Sequence, residues 1–123
     1  MAEEKKKRFT KRSLSASVKL AVESALAKQA ENLCVLDLRE LSSFTDFFLV
    51  MNGSSSRQNA AVAEAVEAAL KPAGLRPLSV EGRESAEWIL IDYGSLVVHV
   101  FSQTARERYS LEKLWGDAPR IDF

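Results

Sequence analysis

The sequence predicts one α/β domain in which helices flank a mixed sheet of five strands. Two long segments repeat apolar residues at helical spacing, and short apolar runs rich in Val, Ile and Leu lie between and after them. The chain has 123 residues, of which 46% are hydrophobic and 28% charged, as expected for one globular domain with a core. The predicted order is helix, two strands, helix, three strands, helix, which is typical of a layered α/β domain.

The first helix is predicted over residues 14–30, where apolar side chains recur at i, i+3, i+4, i+7 and i+8. Ser13 or Ser15 can cap its N-terminus by accepting a hydrogen bond from a free backbone N–H. Leu33–Leu38 follows as a short buried strand, and Phe47–Met51 is predicted as the second strand after a polar connection.

The second helix follows a break at Asn52–Ser56, whose serines can cap it. It is predicted over Ser56–Ala73, because Pro72 near its end and Gly74 just beyond it are typical of helix termination. Pro77–Glu81 is the third strand candidate.

A β-hairpin is predicted from Trp88–Ile91 and Leu96–Phe101, with Gly94 providing the positive φ that a tight turn needs. We expect Ile91 to pair with Leu96, which places Trp88 opposite His99. One face then carries Trp88, Leu90, Val97, His99 and Phe101, and the other carries Ile89, Ile91, Leu96, Val98 and Val100. The aliphatic face is expected to hold the helices; the face with Trp88 and His99 is either core under the last helix or a surface that another molecule covers.

The last helix is predicted over residues 104–115. Arg106, Tyr109 and Lys113 share one stripe of it at i, i+3 and i+7. The second stripe, which we expect to anchor the helix to the sheet, consists of Leu111, Leu114 and Trp115. Tyr and Arg are common at protein–protein interfaces, but Tyr109 could equally pack at the boundary between helix and sheet.

The charges are unevenly distributed, although the chain is neutral overall. Residues 1–13 contain six basic and two acidic side chains, a balance of +4, and the rest of the chain balances it with −4. We therefore predict a basic, disordered arm at 1–12, a folded domain at 13–117 and an aperiodic tail at 118–123. The arm from Lys5 to Arg12 is either a solvated tail or a weak contact to RNA phosphates.

Several classes of site find no support in the residues. One cysteine, Cys34, excludes an internal disulfide, and with a single histidine it cannot build a zinc site. The Gly53-Ser54 turn lacks both common phosphate-loop patterns, and the strand that follows has no carboxylate pair for magnesium. No apolar run approaches the about 18 residues of a membrane span, so we expect a cytoplasmic protein without a membrane segment.

Six segments, in their order, resemble the Iojap-related ribosomal silencing factors over about residues 18–118. The first is interrupted and consists of DLR from Asp37, LS from Leu41 and TDFF from Thr45. The others are GSSSRQ from Gly53, VEG from Val80, WILID from Trp88, VVHVF from Val97 and YSLEKLW from Tyr109. The resemblance implies a nucleotidyltransferase-like α/β fold without catalytic carboxylates, no enzymatic activity and no cofactor.

The resemblance also implies a partner and an activity. Such factors bind the fourteenth ribosomal protein of the large subunit, block association with the small subunit and repress translation when nutrients are limiting. Matched positions point to Trp88 and Tyr109 as binding residues. Arg106 and Lys113 are added because they share a helical stripe with Tyr109, and His99 because the expected register puts it beside Trp88.

Three alternatives stay open at this level. The chain could be a nucleotidyltransferase relative that binds a nucleotide at Gly53–Arg57, or a small RNA-binding module that acts through its basic arm. Apolar strands and exposed aromatic residues also allow a homodimer through the face that binds the ribosome.

Overall fold

The computed structural model describes residues 9–123, which form a mixed sheet with helices on both sides. The strands are β1 (Glu31–Asp37), β2 (Phe47–Gly53), β3 (Ser79–Glu81), β4 (Trp88–Asp92), β5 (Leu96–Ser102) and β6 (Arg120–Asp122). The helices are α1 (Ala16–Ala27), α2 (Ser56–Leu70), α3 (Gln103–Tyr109) and α4 (Leu111–Leu114).

The six strands lie in the order β3-β4-β5-β2-β1-β6. Only β2 and β5 are parallel; every other neighbouring pair is antiparallel. The predicted mixed α/β domain is therefore confirmed, with six strands rather than five.

The long helices begin where the sequence predicts. Ser15 caps α1 by accepting from the N–H of Val18 at 3.4 Å, and Ser55 caps α2 by accepting from the N–H of Gln58 at 3.1 Å. Both helices lie on one side of the sheet, where their apolar faces bury the alternate residues that β1, β2, β4 and β5 direct toward them.

The second sheet face has a smaller core under α3 and α4. Its buried residues are Cys34, Leu36, Leu38, Phe48, Val50, Val97, Phe101, Ala105 and Leu111. Trp88, Leu90 and Trp115 pack against this core but stay half-buried. Two short helices cannot cover as much sheet as two long ones, so part of this face remains open.

The predicted register of the hairpin is wrong by two residues. Ile91 pairs with Val98 rather than with Leu96, and Trp88 lies opposite Phe101. Because side chains alternate with a period of two, a slip of two residues leaves every side chain on its predicted face. The two predicted faces of the hairpin are accordingly found as expected.

Two predictions near the C-terminus are also wrong. The expected single helix over residues 104–115 is two helices, because Ser110 between them adopts a left-handed conformation with φ of 46°. The expected tail at 118–123 contains β6, in which Ile121 pairs with Val35 and adds a sixth strand to the sheet. The basic arm lies largely outside the described residues, which begin with Phe9 stacked on Phe47.

Candidate docking face

The open part of the second sheet face is rich in aromatic side chains. We call it the docking face and define it by Phe44, Trp88, Tyr109 and Trp115, whose rings contact one another or share the rings of Phe48 and His99. It lies over His99 and Phe48, both of which are buried.

Trp88 lies at the centre of an aromatic stack. Its ring is 5.0 Å from that of Phe101 and 4.6 Å from that of Tyr109, measured between centroids. Its indole Nε1–H donates a hydrogen bond to Nδ1 of His99 at 3.0 Å. The indole is thus half-buried, with Phe101, Tyr109 and His99 in contact with it.

His99 lies under this stack and is only 3% exposed. Its ring meets Phe48 edge-on, with 4.4 Å between centroids. Burial lowers the pKa of His99 from 6.5 to about 3, because the charged imidazolium would be desolvated. The ring is therefore neutral, and since Nδ1 accepts from Trp88, its proton is on Nε2.

Phe44 and Trp115 extend the docking face away from Trp88. The ring of Phe44 is 6.4 Å from that of Trp115, and Trp115 lies edge-on to Phe48 at 6.1 Å. Phe44 is 63% exposed and Leu114 is 72% exposed, although both are large and apolar. Phe44 was not predicted as a site residue, because it lies in the polar connection before β2. The prediction that Leu114 anchors the helix to the sheet is wrong, since the side chain is exposed. An aromatic residue within a polar loop was the one sequence signal that could have identified Phe44.

Tyr109 and Lys113 are both exposed, as predicted for the last helix, but Lys113 borders the cavity that Arg106 and Arg120 line. Tyr109 ends α3 and is 47% exposed, while Lys113 lies in α4. The left-handed Ser110 turns the chain between them, so they belong to two helices and not to one continuous stripe.

Arg106 is not on an exposed stripe, contrary to the prediction, since it is only 9% exposed. Its Nε and Nη2 donate to one carboxylate oxygen of Glu112, at 3.0 and 2.7 Å, and its Nη1 donates to the side-chain oxygen of Asn52 at 2.9 Å. It also donates to the backbone oxygen of Asn32 and to Sγ of Cys34. Through these bonds Arg106, which lies in α3, connects α4 with β1 and β2.

Cys34, which Arg106 contacts at 3.8 Å, is fully buried. Burial is the main cause that raises the pKa of its thiol. A raised pKa disfavours the thiolate, which is the nucleophilic form, so Cys34 is suited to packing and not to catalysis.

The Gly53-Ser54 turn is occupied by the protein's own side chains. Oε1 of Gln58 accepts from the N–H of Ser54 at 2.6 Å, and its Nε2 donates to the backbone oxygens of Lys28 and Gln29. A Cβ atom on Gly53 would lie 2.2 Å from Oδ1 of Asn59, which is fully buried. Packing between α1, β2 and α2 therefore accounts for Gly53 and Gln58 without a bound phosphate.

Among residues 9–123, no group of three or more His, Cys, Asp or Glu side chains is arranged to hold a metal ion. Within the same range, no helix has the length and hydropathy to cross a membrane.

Comparison with known proteins identifies the family. The sequence model of the family described as "Ribosomal silencing factor during starvation" matches residues 11–123. The chain belongs to the ribosomal silencing factor family. The resemblance seen in the sequence is thereby confirmed.

Three individual matches agree with this family. A ribosomal silencing factor of Halalkalibacterium halodurans is 41% identical over 106 residues, covering 86% of this chain and 91% of that protein. A mouse protein named for mitochondrial assembly of the ribosomal large subunit is 31% identical over 91 residues, covering 72% of this chain and 40% of that protein. A crystal structure from Chromobacterium violaceum superposes with a TM-score of 0.79 at 39% identity, covering 81% of this chain and 83% of that one.

The names of the matched family and relatives refer to ribosomal silencing or assembly, which indicates a regulatory, ribosome-associated factor.

Proposed function

We propose that this chain binds the large ribosomal subunit in the cytoplasm through its docking face and prevents the small subunit from joining. The observation that carries the proposal is the open aromatic face over Trp88, in a chain that belongs to the ribosomal silencing factor family. The mechanism needs no chemistry: a bound domain of this size excludes the small subunit sterically. Translation would then be repressed under nutrient limitation.

The proposed partner is the fourteenth ribosomal protein of the large subunit, on the surface that meets the small subunit. The composition of the docking face suits a protein partner, because aromatic residues are enriched at the centre of protein–protein interfaces. A specific complex of this kind buries about 1,200–2,000 Å² in total. The mouse relative, whose name refers to the large subunit, supports this choice of subunit.

The roles of the five predicted residues divide by exposure. Trp88 and Tyr109 are proposed as the central contacts, because large half-exposed aromatic residues most often dominate binding energy. Lys113 is exposed on α4 and would add a weaker, salt-sensitive contact outside the aromatic face. His99 and Arg106 lie behind the surface and would support binding only through the residues they hold.

The basic arm and a homodimer remain separate hypotheses. Lys11 lies 4.8 Å over the ring of Phe123, and Phe9 stacks on Phe47, on the side of the sheet that carries α1 and α2. The arm therefore starts away from the docking face, and an RNA contact by Lys5–Arg12 would add to binding without replacing it. A homodimer through the docking face would compete with the ribosome, and dilution would then favour binding.

Sedimentation of separated subunits tests the proposal. The protein should move with large subunits and not with small ones, and adding it before small subunits should reduce the peak of joined ribosomes. Unchanged joining at saturating protein would refute the steric mechanism. Deleting residues 1–12 should leave most of the affinity, whereas complete loss would favour the RNA-binding alternative.

Substitutions then locate the surface. Trp88→Ala and Tyr109→Ala should each weaken binding by about 30- to 1,000-fold, equivalent to about 2–4 kcal/mol for a central aromatic contact. Leu78→Ala is the matched control, because Leu78 is a large apolar residue, 74% exposed, that lies outside the docking face. Equal affinity of all three variants would place the interface elsewhere.

Nucleotide and magnesium titrations by calorimetry should give no heat, and a measurable affinity would support the nucleotide-binding alternative.

A further inference from the structure

We propose that His99 is a positioning residue that fixes the orientation of the Trp88 indole and thereby prepares the docking face before the partner arrives. This inference rests on the proposed function, since it assigns a role to a residue beneath the proposed contact. His99 would touch the partner through no atom of its own and would act only through Trp88.

The hairpin register makes the arrangement possible. Trp88 lies opposite Phe101, and His99 lies opposite Leu90, so Trp88 and His99 are diagonal neighbours on the same sheet face. Direct pairing would have stacked the two rings against each other. The diagonal offset lets the indole lie across Phe101 while its N–H reaches Nδ1 of His99 at 3.0 Å.

The imidazole is itself held in place, which a positioning group requires. Phe48 meets it edge-on at 4.4 Å, and Phe101 lies nearly parallel to it, 6.1 Å away with 9° between the ring planes. Its Nε2 is buried and has no hydrogen-bond partner among the described residues. The single polar bond that the structure gives this ring is therefore the one to Trp88, and an apolar residue would otherwise suit the site better.

The stack alone does not decide on which side of the ring Nε1 lies, because a half-turn about the Cβ–Cγ bond keeps the plane of the indole. Phe101 and Tyr109 make tilted ring contacts with the indole, which restrain its plane but not the side on which its N–H lies. A hydrogen bond is directional, and removing an acceptor from a partly buried N–H leaves that donor unsatisfied. The bond to His99 therefore selects one orientation of the indole from those that the stack permits.

The effect of this positioning should appear in the affinity of the protein for large subunits. Ordering one free side chain on binding costs about 0.5–1.5 kcal/mol, so losing the restraint should weaken binding by roughly 2- to 13-fold. This is much less than the loss expected for Trp88→Ala, because the indole itself remains present.

The first test uses the wild-type protein. In a ¹⁵N NMR spectrum, His99 should be the neutral tautomer with its proton on Nε2, and the Trp88 indole N–H should be protected from exchange with solvent. The chain has two Trp residues, so a Trp115→Phe variant assigns the two indole signals. A proton on Nδ1 of His99, or rapid exchange of the Trp88 indole N–H, would overturn the inference whatever the ribosome experiments show.

The second test compares two substitutions at one position. His99→Phe keeps a flat ring but removes the acceptor, whereas His99→Asn places an amide oxygen near the former Nδ1 position. We expect His99→Phe to expose the indole N–H to exchange and to weaken binding to large subunits by the stated 2- to 13-fold. His99→Asn should restore indole protection and part of the affinity.

The combined readouts separate the two proposals. If His99→Phe frees the indole in the NMR spectrum but binds large subunits like the wild type, the positioning role is refuted. If Trp88→Ala itself binds normally, the docking proposal fails, while the NMR results still report on the His99–Trp88 bond. Should His99→Phe fail to fold, the wild-type tautomer and the His99→Asn exchange rates decide the question.

Discussion

Replacing Arg106 with alanine should destabilise the fold strongly without removing a contact to the ribosome. Arg106 is buried and donates to Glu112, Asn52 and Asn32, so its loss leaves these acceptors without their partner. Breaking a buried ion pair by removing one member costs about 3–5 kcal/mol. Glu112 remains partly solvated, with a side-chain exposure of 20%, so we expect the lower end, about 3 kcal/mol.

That free energy corresponds to a measurable shift in melting temperature. The entropy of unfolding near 60 °C is about 2.1 cal/mol/K per residue, so a loss of about 1 kcal/mol lowers the melting temperature of this chain by about 4 °C. Arg106→Ala should therefore melt about 12 °C below the wild type in calorimetry.

Two further variants make this test specific. Arg108→Ala removes an exposed arginine from the same helix and should change the unfolding free energy by less than about 0.5 kcal/mol. The double variant Arg106→Met with Glu112→Leu should recover part of the loss, because no charge is then left unpaired. If Arg106→Ala melts like the wild type but loses affinity for large subunits, Arg106 is a contact residue and the structural reasoning is wrong.

Three other predictions test the fold and the buried groups. Gly82→Ala and Gly74→Ala both force alanine into a positive φ, which costs about 1–2 kcal/mol. At Gly82 the new Cβ would in addition lie 1.9 Å from the backbone oxygen of Trp88, whereas at Gly74 it would meet no atom within 4 Å. Chemical denaturation should therefore show a distinctly larger loss for Gly82→Ala, and equal losses would contradict the described loop. The pKa of His99 is about 3 in the fold and 6.5 unfolded. Burial of the neutral ring therefore carries no protonation cost above pH 6.5, and it lowers the free energy of unfolding progressively as the pH falls from 6.5 towards 3. From pH 7 to 5 the wild type should lose about 2 kcal/mol more than His99→Phe, and parallel pH profiles would contradict burial of a neutral imidazole. Gln58→Ala should lower the free energy of unfolding by about 0.5–1.5 kcal/mol, because it removes the side-chain acceptor of the exposed N–H of Ser54; an unchanged denaturation midpoint would contradict that role.

The sequence alone determined the class of the fold and the composition of its two faces. Helical and strand periodicities are local properties, so they located α1, α2 and the hairpin to within a few residues. The error in hairpin register did not change the predicted sheet faces, since a slip of two residues preserves the side on which Trp88 and His99 lie. Trp88 and His99 were thus correctly placed together, and Tyr109 was correctly expected near the surface.

Only the tertiary structure decided features that depend on distant partners. Ile121 forms a strand because Val35 offers a free edge, and no periodicity in a three-residue strand can reveal this. Arg106 looks like a surface residue by helical spacing, yet Asn32, Asn52 and Glu112 converge on it and make its burial favourable.

The extent of the docking face was decided in the same way. The left-handed conformation of Ser110 turns α4 away from the line of α3, which exposes Leu114 and leaves Trp115 half-buried. Phe44 joins the face because the loop before β2 brings its ring to Trp115. Local sequence thus determined which residues share a strand face, whereas burial was set by how much of that face two short helices can cover.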